Sequence, residues 1–192
     1  NPTPTGNDPN VTHQDLYRQD PTTGDVILIA RDLEPNSTFT DYTPGHEIEY
    51  QYFVRVFGDN DTNVLSDYFS SKVKVKDTLL NLTSNPEEMV RLVFSPNPML
   101  DINYSATSRV FAGRNKPVTE FGEAITTQGT LGYAVTTETL KSLMNFLENQ
   151  ETLLYRDSRG RRLFVTISNL NLTDTQMLKE LYTINLTLNE VD

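Results

Sequence analysis

Residues 152–168 read TLLYRDSRGRRLFVTIS. Leu153, Leu154 and Tyr155 run into Asp157-Ser158-Arg159-Gly160, and Leu163, Phe164, Val165 and Ile167 run out again. Two β-prone runs around a four-residue turn ending in glycine predict a β-hairpin. Asp157 is placed to bond the turn backbone and Gly160 suits a positive φ. Arg156, Arg159, Arg161 and Arg162 put four of the sixteen basic residues on this one tip.

Working outward, Leu140, Leu143, Met144 and Leu147 recur at i, i+3, i+4 and i+7, which predicts a helix over 138–149. Thr136 or Thr137 can cap it, and Glu138 in its first turn suits the helix dipole. Beyond the hairpin, Tyr182, Ile184, Leu186 and Leu188 alternate with Thr183, Asn185, Thr187 and Asn189, the pattern of a half-buried strand. Residues 173–180 are a short helix or a loop. Ahead of the helix, odd positions from Ile125 to Val135 form the more apolar face of a strand. Arg109–Ala112 and Pro117–Phe121 flank Gly113-Arg114-Asn115-Lys116 as a second hairpin. Met89–Phe94 reads as a strand that Ser95-Pro96-Asn97-Pro98 ends.

The first half reads as consecutive antiparallel strands: Leu16–Arg18, Val26–Ala30, Glu49–Phe57 and Phe69–Val75. Asp20-Pro21-Thr22-Thr23-Gly24 is a turn by composition, Leu33–Asn36 breaks the second strand, and Gly58–Asn63 turns the chain. In Glu49–Phe57, Tyr50, Tyr52, Val54 and Val56 share one face. Strands at this spacing, with no helical period between them, indicate half of a β-sandwich. The expected division is a linker over 1–12, one domain over 13–77 and a second over 78–192, without internal repeats.

Length allows one large domain or two small ones, each long enough for its own core. A net charge of −10 argues against nucleic acid or an anionic membrane as the main partner. No apolar run approaches a membrane helix. Without cysteine, disulfides and thiolate metal sites are excluded. The start, NPTPTGNDPN, has no basic and apolar signal-peptide pattern and reads as an extended linker of a chain cut from something longer.

Chemistry has few places to reside. His13 and His46 are the only histidines and are expected in loops; His46-Glu47-Ile48-Glu49-Tyr50 lacks a zinc protease's second histidine. Asp59-Asn60-Asp61-Thr62-Asn63 opens like a calcium loop, then fails: Val64 stands where glycine and Ser70 where glutamate is needed. No phosphate-cradling loop and no catalytic constellation are found, so no catalytic residue, metal or cofactor is expected. Seven N-x-S/T sequons begin at Asn10, Asn36, Asn60, Asn81, Asn103, Asn171 and Asn185. They mark either a secreted glycoprotein or, preferably, a Thr/Asn-rich polar face on many strands. The candidate interaction residues are Arg156, Asp157, Arg159, Arg161 and Arg162 on the first turn, with Arg114 and Lys116 on the second. Such a tip either docks on a neighbouring subunit's carboxylates, where arginine's fork adds specificity, or stays solvated with Asp157 pairing locally.

Two resemblances follow. LYR, VILIARDLEPNSTFTDYTP, EYQYFVRVFG and LSDYFSSKVKV together resemble the later strands of a fibronectin type III domain, with that fold's first two strands missing upstream. FAGRNKPVTEFGEA, TLGYAVTTETLKSLMNFLENQETLLYRDSRGRRLFVTI and YTINLTLNEVD are similar to the C-terminal region of minor tail proteins of long-tailed bacteriophages. The resemblance implies a mainly β chain: an incomplete fibronectin III-like β-sandwich, then a small tail-tube- or distal-tail-like β-barrel or sandwich domain with one α-helix. It further implies a non-catalytic virion component of the tail tip or baseplate, present in the host cytoplasm during assembly. Its partners would be tail-tube, distal-tail or hub proteins and further copies of itself in a trimeric or hexameric ring. The competing reading is a secreted or cell-surface adhesive, carbohydrate-binding module. A third is an accessory domain of a secreted glycoside hydrolase, with Tyr42, Tyr68 and Phe69 as its sugar platform.

Overall fold

The computed structural model describes residues 11–59, 62–92, 99–113, 116–174 and 181–191. The first ten residues of the expected linker, the Ser95–Pro98 strand end, Arg114 and segment 175–180 lie outside the described residues. The fold is mainly β, in antiparallel sheets with one helix among the described residues, and is consistent with a β-sandwich type. Of the barrel or sandwich expected for the second half, no closed barrel forms. The chain divides into two compact units, one ending at Val75 and also including Ser158–Gly160, the other made of Lys76–Asp157 and Arg161–Asp192.

β1 (Val11–Gln19), β2 (Val26–Leu33), β3 (Glu49–Gly58), β4 (Asn63–Leu65) and β5 (Phe69–Lys72) make the first sheet, in the order β2-β1-β3-β4 with β5 also on β3. The aromatic and β-branched run of β3 suits a strand packed on both faces. Its register sets Leu16 opposite Val54 and Arg18 opposite Tyr52. Tyr50, Phe53 and Val54 are buried in consequence. The turn expected at Asp20–Gly24 closes with Gly24 at φ 79° and Asp20 Oδ1 accepting from Thr22 N at 2.8 Å.

The second unit holds β6 (Thr78–Leu82), β7 (Met89–Leu92), β8 (Met99–Arg109), β9 (Val118–Thr136), α1 (Thr137–Glu148), β10 (Leu153–Arg156), β11 (Arg162–Asp174) and β12 (Leu181–Glu190). The sheet order is β7-β6-β10-β11-β12-β9-β8. One face carries Leu80, Leu82, Leu131, Tyr133, Val135, Leu153, Tyr155, Val165, Ile167, Ile184, Leu186 and Leu188 into a single core with Leu140, Leu143 and Phe146 of α1. Alternation on β12 is the expected one, with Ile184, Leu186 and Leu188 inward. The helix begins as expected: Thr136 Oγ1 accepts from Thr139 N at 3.3 Å. One helical position differs, because Met144 is exposed and Phe146 takes its place against the sheet.

β9 is the element that exceeds expectation. The expected hairpin strand at Pro117–Phe121 and the strand at Ile125–Val135 are one continuous strand of 19 residues. β12 flanks it only from Gln128 to Thr136, whereas β8 pairs with it from Thr130 down to Val118. The stretch from Val118 to Thr127 is therefore a two-stranded arm, reaching roughly 33 Å past the flanked part at about 3.3 Å per residue.

Candidate functional site

The expected β10–β11 hairpin forms, with Leu153 opposite Val165 and Arg156 opposite Arg162, so that five residues and not four connect the last pair. Gly160 has φ 85°, and Asp157 N donates to Arg161 O at 3.2 Å to close the turn. Asp157 is buried and serves three donors: Arg161 N at 3.0 Å, Arg161 Nε at 2.5 Å and the Tyr155 hydroxyl at 2.9 Å. Burial, and then the neighbouring Asp157 carboxylate, push the Tyr155 hydroxyl's pKa above its ordinary value. The carboxylate thus pins both ends of the turn.

Arg156 is buried as well and reaches Asn81 rather than solvent. Its Nη2 donates to Asn81 Oδ1 at 2.7 Å, and Asn81 Nδ2 donates to the Pro86 carbonyl at 2.7 Å. A planar guanidinium on an amide, with that amide tied to backbone, satisfies groups that would otherwise cost several kcal/mol to bury. Of the tip, Arg159 is exposed, and Arg162 is half-buried with its guanidinium 5.6 Å from the Phe164 ring. Arg161 is committed to Asp157. The four arginines are therefore not one outward cluster: two are structural and two offer surface.

The second hairpin forms, with Arg109 paired to Val118 and Gly113 at φ 86°, but Val110–Ala112 and Pro117, expected in its strands, lie outside them. Lys116 is exposed, and Arg114 lies outside the described residues. The arm also exposes Ile102, Phe111 and Val110, the last 79% accessible. A two-stranded ribbon has no face to bury, and alone in water it is marginal.

The chain matches no family model and no curated protein. Function must be read from the sites.

A second charged centre lies in the first unit. Arg18 Nη1 meets Asp41 Oδ2 at 2.7 Å, with both side chains almost fully buried, and the same guanidinium lies 4.5 Å from the Tyr50 ring centroid. Asp41 also accepts from Tyr52 at 3.1 Å and from Thr43 N and Oγ1 at 2.9 and 2.8 Å. Burial first and Asp41 second raise the Tyr52 hydroxyl's pKa. The pair neutralises itself, and Asp41 forms part of the wall of a recess of about 290 Å³ that Phe39 and Phe69 also line.

Of the two histidines expected in loops, His46 lies outside the named strands and His13 does not. His13 lies within β1 and stacks on Phe57 at 4.4 Å; His46 bridges to Val73, and its Nδ1 accepts from Val75 N at 3.0 Å. Among the described residues no cluster of His, Asp and Glu could hold a metal, and the calcium-like loop has Asn60 and Asp61 outside them. No helix is long and apolar enough to cross a membrane. Tyr68 packs edge-on against Phe53, whereas Phe69 lines the recess with Tyr52, so the expected aromatic trio does not share one platform. Asn171 and Asn185 are exposed cross-strand partners on the polar face, while Asn81 is wholly buried. The Asn81–Arg156 pair, the Arg18–Asp41 pair and the recess all escaped the sequence reading.

Proposed function

We propose that this chain is a structural component of a bacteriophage tail tip or baseplate that assembles through subunit–subunit contacts. The resemblance of residues 106–192 to minor tail proteins supplies the tail identity. The observation that carries the assembling role is the arm of β8 and β9. An exposed ribbon with apolar Ile102, Val110 and Phe111 and a basic turn at Arg109 and Lys116 gains stability only against a neighbour. On a chain of net charge −10, a basic turn meets acidic surface on any further copy.

On this reading Arg159 and Arg162 of the first hairpin and Lys116 of the second turn reach the neighbour. Asp157, Arg156 and Arg161 hold the first turn in shape. The partners are further copies in a trimeric or hexameric ring, and tail-tube, distal-tail or hub proteins along the virion axis. The order of strands β2-β1-β3-β4, which is that of one layer of a sandwich, supports the fibronectin III-like half of the reading.

Native mass spectrometry and negative-stain imaging test it. The expected result is a closed ring of three or six copies that Arg159→Glu with Arg162→Glu disperses into folded monomers. A monomer at all accessible concentrations, or N-glycans on the protein isolated from its natural source, would overturn the proposal.

A further inference from the structure

The recess lies in the first unit, and none of the arm or hairpin residues invoked above lines it. Its lining is about half polar, and its size matches the small end of ligand pockets. Phe39 and Phe69, 39% and 47% exposed, give it two open aromatic surfaces. Thr38, Thr40 and Ser71 line it too, and among the described residues no protein group takes their hydroxyls. Asp41 is the one charged residue in the wall, and Arg18 neutralises it.

We propose that this recess binds a neutral sugar residue. Each feature selects for that chemistry. A pyranose ring has an apolar face of C–H groups carrying slight positive charge, which suits the negative face of a phenyl ring. Its edge carries hydroxyls that both donate and accept, as Thr38, Thr40 and Ser71 do. The internally paired Asp41 and Arg18 leave no net charge to hold a phosphate, a carboxylate or an amine. A purely apolar occupant would bury three hydroxyls without partners, at a cost that a sugar avoids. The saturated carboxylate acts on the ligand only by fixing Tyr52, whose hydroxyl it holds at 3.1 Å.

Saturation-transfer NMR on the whole chain tests this, with the methyl glycosides of glucose, galactose, N-acetylglucosamine and rhamnose as probes and an alternating Thr-Val hexapeptide as the competing occupant. The expected result is transfer to ring C–H protons of at least one glycoside. Phe69→Ala should weaken that binding about tenfold. Thr40→Val, nearly isosteric, should weaken it about fivefold with an unchanged melting temperature. Silence from all four glycosides overturns the proposal, as does binding that both variants leave intact. Binding of the hexapeptide in place of the sugars assigns the recess to a protein strand and overturns it equally.

Discussion

Asp157→Ala should destabilise the second unit by about 3–5 kcal/mol. Three losses add to that figure. The Tyr155 hydroxyl, on a residue only 1% exposed, loses its acceptor, at about 1–3 kcal/mol for an unmet buried group. The Arg161 backbone N–H loses its bond to Oδ1, about 1 kcal/mol. The Arg161 guanidinium loses its counter-ion but keeps 22% of its side-chain surface in water, so its share stays near 1 kcal/mol. The total falls in the range of about 3–5 kcal/mol for breaking a buried pair. Tyr155→Phe separates these losses. Alone it should cost about 1 kcal/mol, but with Asp157→Ala it removes the orphaned hydroxyl and should restore about as much. Whole-chain melting mixes two units. The suitable assay is therefore hydrogen exchange of peptides spanning 153–167 across a urea series. If Asp157→Ala costs under about 1 kcal/mol, or Tyr155→Phe costs the same in both backgrounds, the carboxylate does not hold the turn.

High pH should weaken both units. The hydroxyls of Tyr52 and Tyr155 keep their protons in the folded state beyond the ordinary value of about 10, so stability is full below that pH. Above it the unfolded chain ionises first, and stability falls by about 1.4 kcal/mol per pH unit per tyrosine. Urea midpoints from pH 9 to 11 should show the decline, flattened in the Tyr→Phe variants. In α1, Thr136→Ala should cost about 1 kcal/mol and Leu143→Ala about 2–5 kcal/mol, read from hydrogen exchange of peptides spanning the helix across a urea series. Expressed through a eukaryotic secretory route, the folded protein should carry glycan at exposed Asn36, Asn171 or Asn185 and none at Asn81; a glycan mapped to Asn81 by mass spectrometry refutes its burial.

What could be read in advance was what burial writes into local spacing. β12 and α1 each bury one face, and their periods of two and about three and a half are plain in the residues. β8 was invisible as an 11-residue strand because its described side chains, Asp101, Ile102, Thr107, Ser108 and Arg109, are all exposed and show no alternation. β6 was missed for the opposite reason. Both of its faces are inside, and wholly buried Asn81 interrupts the apolar run TLLNL. Its partner Arg156 is 75 residues away, a distance no local pattern spans. The same pairing explains why the arginine tip looked more uniform than it is. On β10 all four residues are buried, so alternation could not sort its charges into inside and outside. In the first unit, Phe39 and Thr40 sit in a segment without strand or helix, and nothing in their spacing marks them as a wall of the recess.

The continuity of β9 has a mechanical consequence. A pull on the Gly113 turn directed along the arm would load the hydrogen bonds between β9 and β12 in shear, side by side, rather than opening them one after another like a zip. The strand delivers that tension to Leu131, Tyr133 and Val135 and ends at Thr136, the cap of α1. Traction applied at one end of a single strand is thus carried through the core to the start of the helix.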